Sequence, residues 1–495
     1  MLQLRNFDSE NHDQPDSTVH EEERLVVPRV RPRDVGDELA SALVRVREEL
    51  DLPTGFSEEV EEVALASVAA FEPPELDLTE IPFATIDPEG ATDLDQALYL
   101  ERTGDTLRVM YAIAEVPAFV LPGSAVDAEA RKRGQTIYAP DGRIPLHPTV
   151  ISEDAASLLA GCTRPAFVWT FDLDATGTVT ATTLVRAQVR NRRQYDYEEV
   201  QRLLDNDLAD ESLSLLPEFG RLRAELERNR GGASLNRPDE EVEFVDGHYV
   251  VERRSSLPVE QYNAHVSLMT GMEAARIMLE GKVGILRTMP APDEETLAKF
   301  RRQVASLGCP WPENQNYGEY LRALDHSDPR ALAAIHAAAS LFRGAGYTVF
   351  DGELPEETTQ AAVAAPYAHA TAPLRRLVDR FVLVACEAII AGRDVPKWVR
   401  DALPELPKIM ARTSSLASQL ERSSVDAIEA AVLSTRVGDE FDATVVSERA
   451  DGGIIQIADP VITAKIVGDV SAGSTVRARL VAAEIATGTI EFVLV

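Results

Sequence analysis

The chain has 495 residues, 45% apolar and 26% charged, the balance of a soluble globular protein too long for one small core, so two or three domains are expected. Its 49 Lys and Arg against 82 Asp and Glu give a net charge of −33, the reverse of the basic balance usual in nucleic-acid binders, though net charge does not decide what one local arginine track can hold. No run of about 18 uncharged apolar residues is present, so no membrane contact is expected.

Residues 1–30 are acidic and poor in aromatics, which predicts a disordered tail and not a secretory or transit leader. Over 31–75 two short helical patterns, GDELASALVRVREEL and SEEVEEVALASVAAF, flank the turn-like DLPTG, and EPPELDLTEIP reads as a linker. From Phe83 the texture is that of strands: FATI and QALYLE flank an acidic loop, and LRVMYAIAEV runs apolar. Helical spacing dominates the later middle, in VSLMTGMEAARIMLEG, PRALAAIHAAASLF and PLRRLVDRFVLVACEAIIAG. A long helix over PKIMARTSSLASQLERSSVDAIEAAVL precedes five short strand patterns, from DEFDATVVSER to TIEFVLV, which predict a small OB-type barrel over 436–495. Cys162, Cys309 and Cys386 lie far apart without a C-x-x-C pair and read as small apolar residues of a cytoplasmic protein.

The chemistry concentrates in Thr85–Leu98, TIDPEGATDLDQAL. Apolar strands on both sides hold this loop in place, and Pro88 and Gly90 bend it. Asp87, Asp93 and Asp95 repel one another when brought close unless a cation or protons neutralise them, and hard oxygen donors suit Mg²⁺, or Mn²⁺, over zinc. Phosphodiester hydrolysis uses such a site. The spacing is not that of an EF-hand, and from the residues alone a metal site and an exposed acidic turn are equally good readings.

The same segment is similar to the first motif of the RNB domain of RNase II-type enzymes, in which a TID triplet precedes a D-x-D-D run. The likeness continues in order through YAIAEVPAFVLPGSAVDAEARKRGQTIYAPDGRIPLHP, VRNRRQYDYEEVQRLLD, LERNRGGASLNRPDEE and YAHATAPLRRLVDRF, and covers residues 76–435. It implies an α+β protein: an RNB catalytic domain over 76–435 with a mixed sheet and surrounding helices, followed by the OB-type barrel. The implied activity is processive 3′→5′ hydrolysis of single-stranded RNA to nucleoside 5′-monophosphates, by a monomer. By position, Asp87, Asp93 and Asp95 match the acidic centre, with Asp95 at the most sensitive place. Arg375 matches the arginine that grips phosphate beside the scissile bond, with Arg376 a second candidate. Tyr138 matches an aromatic that stacks on the terminal base, and Glu421 a glutamate near the 3′-terminal nucleotide. Read alone, Tyr138 is more often a packing residue, Arg375 and Arg376 a helix face with ion pairs, Glu421 an exposed helix acid, and His369 a structural histidine.

Three departures qualify the resemblance. Gln96 stands where the family usually places a fourth aspartate, so the site loses one negative charge while keeping an amide oxygen as a ligand or water contact. The residues ahead of 76 are too few for the cold-shock-type barrels common in the family, and the C-terminal barrel has only Phe441 and Phe492, not a stripe of aromatics for stacking. Two rival readings follow: a catalytically weakened RNA-binding protein on the same domain, and a small-molecule phosphoesterase.

Overall fold

A computed structural model describes residues 29–30, 37–233, 239–245, 248–254, 256–325, 328–457 and 459–495. The acidic tail expected over 1–30 lies outside these residues except for Arg29–Val30, which is not irregular: its backbone pairs in parallel with Asp239–Val245.

The N-terminal half is built on a closed barrel in the order Phe83–Ile86, Gln96–Thr103, Thr106–Ala114, Thr163–Leu173, Val179–Tyr195. The expected mixed sheet therefore closes on itself, because Phe83–Ile86 pairs antiparallel with its successor and parallel with the end of Val179–Tyr195. Strand alternation sorts the side chains into two cores. Leu98, Leu100, Val109, Tyr111, Phe167, Trp169 and Phe171 enter one. Ala97, Ala112, Ala166, Val168, Ala187 and Val189 enter the other, with Phe83 and Leu94. The first core is covered by the helices Pro258–Gly281 and Leu377–Ile390, through residues such as Val266, Met269, Leu377 and Phe381.

The helix Leu406–Leu433 leaves that core at Leu406 and Met410 and reaches, over about 42 Å, a second core at Ala427, Ile428 and Leu433. That second core belongs to the C-terminal closed barrel, ordered Glu440–Arg449, Gly452–Ile457, Thr463–Val467, Thr489–Leu494, Thr475–Glu484, as its five strand patterns predict. Phe441 and Phe492 meet edge to face at 5.7 Å inside it and are 5% and 0% exposed, so neither is a stacking platform. The helix Asp37–Glu49 adds Leu39, Ala42 and Leu43 to the same core.

One boundary differs from the sequence reading in a way that matters. The helix expected from Pro373 begins at Leu377, and Pro373–Arg376 is a tight loop ending in an extended Arg376. Backbone pairing with 134–136 keeps Arg376 extended: Arg375 O accepts from the Thr136 amide at 2.9 Å and the Leu377 amide donates to Gly134 O at 3.0 Å. Thr371 and Ala372 donate to Asp379 Oδ1 at 2.9 and 2.7 Å, and Leu374 donates to Asp95 Oδ1 at 2.7 Å.

Candidate active site

The acidic loop joins the first two barrel strands and is fixed by backbone ties from several directions. The Asp87 amide donates to Tyr195 O at 3.1 Å. Ala91 turns back onto Pro88 O at 3.1 Å, with Gly90 at φ 77, a left-handed turn that glycine adopts freely. Gln194 holds Ala91 O at 2.9 Å. Ser157 Oγ accepts from the Leu94 amide at 2.9 Å and donates to Thr92 O at 2.7 Å. These contacts make the carboxylate positions a property of the barrel, not of a free turn.

Asp95 is 4% exposed. Burial pushes its carboxyl well above the usual range, while the Arg375 guanidinium and the Leu374 N–H pull the other way. Arg375 Nε lies 3.5 Å from Asp95 Oδ2, and its side chain keeps 32% exposure. Asp93 receives the Tyr138 hydroxyl at 3.3 Å and pairs with Arg143, which also reaches Glu153 at 2.9 Å and Thr92 Oγ1 at 2.7 Å. Tyr138 is 42% exposed, its hydroxyl turned to Asp93 and pushed above the ordinary tyrosine range by burial and by that carboxylate. Oδ2 of Asp87 is closed off from solvent.

The 371–376 loop supplies the other side of the site. Asp379, fully buried, takes Arg376 Nε and Nη2 at 3.0 Å each as well as the two loop amides, so Arg376 is spent on holding the loop and its side chain is only 13% exposed. Arg375 O accepts from the Thr136 amide at 2.9 Å and Gly134 O from the Leu377 amide at 3.0 Å, which lays the loop beside the strand that carries Tyr138. Gly134, at φ 68, passes so close to the Leu406–Leu433 helix that a Cβ there would sit 2.6 Å from Thr413 Cγ2. Gln96 spans the gap between barrel and loop, donating from Nε2 to Thr371 O at 2.8 Å and accepting the Tyr111 hydroxyl at 2.5 Å.

The structure thus brings Asp93, Asp95, Tyr138 and Arg375 into one connected set, with Gln96 and Arg376 as its fastenings. Glu421 is half-buried on the long helix, next to Leu420, which shares a small core with Ile137 and Ile144, the cross-strand pair next to Tyr138 and Arg143 in their hairpin. His369 is 6% exposed, bound to the Tyr347 hydroxyl at 2.8 Å, and driven well below the usual histidine range by burial and nearby arginines, which fits a structural role. Of the arginine tracks in the sequence, Arg186, Arg192 and Arg193 have acidic neighbours in Glu115, Glu80 and Glu199. Arg143, Asp379 and the Leu374 amide were not legible as site groups; only Asp379, three residues after Arg376, left a spacing that hints at its pairing. Among the described residues, no three His, Cys, Asp or Glu side chains stand ready-grouped as a metal site. The donor chemistry still fits a hard divalent cation: carboxylate oxygens on a tethered loop, one of them buried. Arg143 would have to yield Asp93 to such an ion.

The RNB domain family matches residues 75–392. This chain belongs to the RNB-domain family. Residues 439–495 match the C-terminal S1 domain of RNase II-type exonucleases, which is the second barrel. Ribonuclease R of Escherichia coli strain K12 is 27% identical over 439 residues, 82% of this chain and 52% of that protein. The RRP44 homolog A exosome exonuclease of Arabidopsis thaliana is 26% identical over 402 residues, 77% and 42% of the two. The chain spans about half the length of the curated relatives it matches. Mycoplasma genitalium RNase R, solved with ribose-methylated single-stranded RNA, superposes with a TM-score of 0.82 at 17% identity, over 93% of this chain and 78% of that one. Yeast Ssd1, a pseudonuclease, superposes with a TM-score of 0.67 at 16% identity, over 87% and 56%. The RNB fold thus occurs in a protein described as inactive as well as in nucleases. No helix among the described residues is long and apolar enough to cross a membrane.

Proposed function

We propose that this chain is a 3′→5′ exoribonuclease that hydrolyses single-stranded RNA to nucleoside 5′-monophosphates with the help of Mg²⁺, Mn²⁺ being an acceptable substitute. The observation that carries this reading is the meeting of the buried Asp95 with the Arg375 guanidinium and the Leu374 amide on a tethered acidic loop. Asp87, Asp93 and Asp95 are the residues that would hold the ion, which when bound lowers the pKa of an attacking water and neutralises charge on the leaving oxygen. Arg375 binds the phosphate at the scissile bond with its planar fork and stabilises the charge that develops there. The Leu374 amide keeps Asp95 in one orientation. The exposed ring of Tyr138 stacks on the terminal base, a contact of about 1–3 kcal/mol that is indifferent to sequence, as degradation requires. Glu421 contacts the 3′-terminal nucleotide, and the chain acts as a monomer.

A second reading, an RNA-binding protein with weakened catalysis, is favoured by Gln96 in place of a carboxylate and by Arg143 on Asp93. End-labelled single-stranded RNA with Mg²⁺ separates the two. The exonuclease releases a 3′ label in its first cycle as monophosphate and shortens 5′-labelled RNA stepwise. Intact RNA under stoichiometric protein, with retarded migration in a gel, sinks the enzyme and supports the binder. Turnover of simple phosphate esters without RNA binding would instead support a small-molecule phosphoesterase.

A further inference from the structure

Gln96 occupies the position of the fourth acid, which makes its amide oxygen a candidate ligand, yet its contacts assign it other work. Nε2 donates to the Thr371 carbonyl at 2.8 Å. A carbonyl only accepts, so chemistry fixes which end of the amide faces the loop. Oε1 is taken by the Tyr111 hydroxyl at 2.5 Å and lies 3.5 Å from Ser267 Oγ, and those two hydroxyls are themselves 2.9 Å apart. Tyr111 is 1% exposed, Ser267 5% and Thr371 0%. Both ends of the amide are therefore engaged by buried protein groups.

What this fastening holds is the 371–376 loop. Asp379 ties the loop to the helix that follows it, through the Thr371 and Ala372 amides. Gln96 ties the same loop to the barrel strand that begins one residue after Asp95. Three residues past Thr371, the Leu374 amide meets Asp95, and Arg375 follows. An aspartate at 96 is one methylene shorter and has no donor for Thr371 O.

We propose that Gln96 is a positioning residue and not a metal ligand: its amide fastens the 371–376 loop to the acidic strand, so that the Leu374 amide and Arg375 meet Asp95 in register. The kinetic part of the proposal rests on the exoribonuclease reading; the fastening does not. Gln96→Met keeps length and neutrality and removes both hydrogen bonds. Gln96→Glu keeps the acceptor for Tyr111, removes the donor to Thr371 and adds the charge an oxygen ligand would welcome.

Three readouts on the full chain decide it: amide exchange over 371–375 in the metal-free protein, Mn²⁺ affinity by electron paramagnetic resonance, and steady-state kinetics on single-stranded RNA. Exchange of the Leu374 amide should quicken about tenfold or more in both variants, the scale of one buried hydrogen bond. The Mn²⁺ dissociation constant of Gln96→Met should stay within about threefold of wild type, since no ligand is lost. For both variants kcat should fall roughly ten- to hundredfold while KM for long RNA moves less than about threefold, because protein contacts to the remote RNA phosphates are untouched. Gln96→Met that loses Mn²⁺ affinity tenfold with unchanged exchange overturns the proposal, as does Gln96→Glu that turns over as fast as wild type. If Gln96→Glu does not fold, Gln96→Met decides alone. An inactive wild type sinks the exoribonuclease reading, and exchange and Mn²⁺ affinity still judge Gln96.

Discussion

The described residues form two closed five-stranded barrels, and the candidate site lies on the first. In the C-terminal barrel the first two strands, Glu440–Arg449 and Gly452–Ile457, are joined by a two-residue turn, and the charges beside them sit outside, where Arg477 and Arg479 pair with Glu440 and Asp442. In the N-terminal barrel the corresponding connection runs from Asp87 to Asp95 and is held by Ser157, Gln194, Tyr195 and the 371–376 loop. Barrel closure supplies rigidity in both. The site arises where a long polar connection meets groups from distant parts of the chain, which then bury one of its carboxylates.

That contrast can be broken by substitution, beginning with the largest effect. Asp95→Asn should lower monophosphate release by about a thousandfold or more while RNA binding in a gel persists, because the buried charge that the reaction needs is gone and the loop is not. Arg375→Ala should cost about a hundred- to a thousandfold in kcat, as expected for removing a donor aimed at developing charge. Retained turnover in either variant would place the chemistry elsewhere.

The same cut in the other barrel should act on stability alone. Phe492→Ala opens a cavity in its core and should cost about 3–5 kcal/mol, read as an early transition in chemical denaturation, with turnover of short oligonucleotides kept. A smaller effect concerns pH. His147, 1% exposed behind Pro373, is pushed down to about 3 by burial and by Arg380. It stays neutral in the fold and takes up a proton when unfolded, so its contribution is present above pH about 6.5 and is lost as pH falls from there toward 3. His147→Leu should flatten that acid limb of the stability curve, and an unchanged limb would show that other groups govern it. Smallest of all, Arg477→Ala with Arg479→Ala should leave the melting temperature unchanged and weaken RNA binding by less than about threefold, since both cations already have acidic partners on an exposed face.

Much of this was legible in sequence. Period-two patterns placed the strands around the acidic loop and those of the second barrel, and the order of motifs from Thr85 to Arg380 pointed to the RNB domain. Less legible was anything made by closure. The pairing of Phe83–Ile86 with Val179–Tyr195 joins residues more than a hundred positions apart, and no local pattern encodes it. Pro373–Arg376 read as the start of a helix because its apolar spacing continues into Leu377–Ile390, whereas Arg375 O and the Leu377 amide pair with the backbone of residues 134–136, more than 200 positions earlier. The hydrogen bonds of Gln96 were not legible either, since only its position was visible: Thr371 and Tyr111, its partners, come from 275 and 15 residues away.

Hydrolysis at the Asp95–Arg375 site can be read directly by digesting single-stranded RNA with Mg²⁺ in ¹⁸O-labelled water and analysing the products by mass spectrometry. Wild type should yield nucleoside 5′-monophosphates carrying one ¹⁸O on the phosphate, and Asp95→Asn none. Unlabelled products, 3′-phosphates, or equal release from the two proteins would rule out hydrolysis at this site.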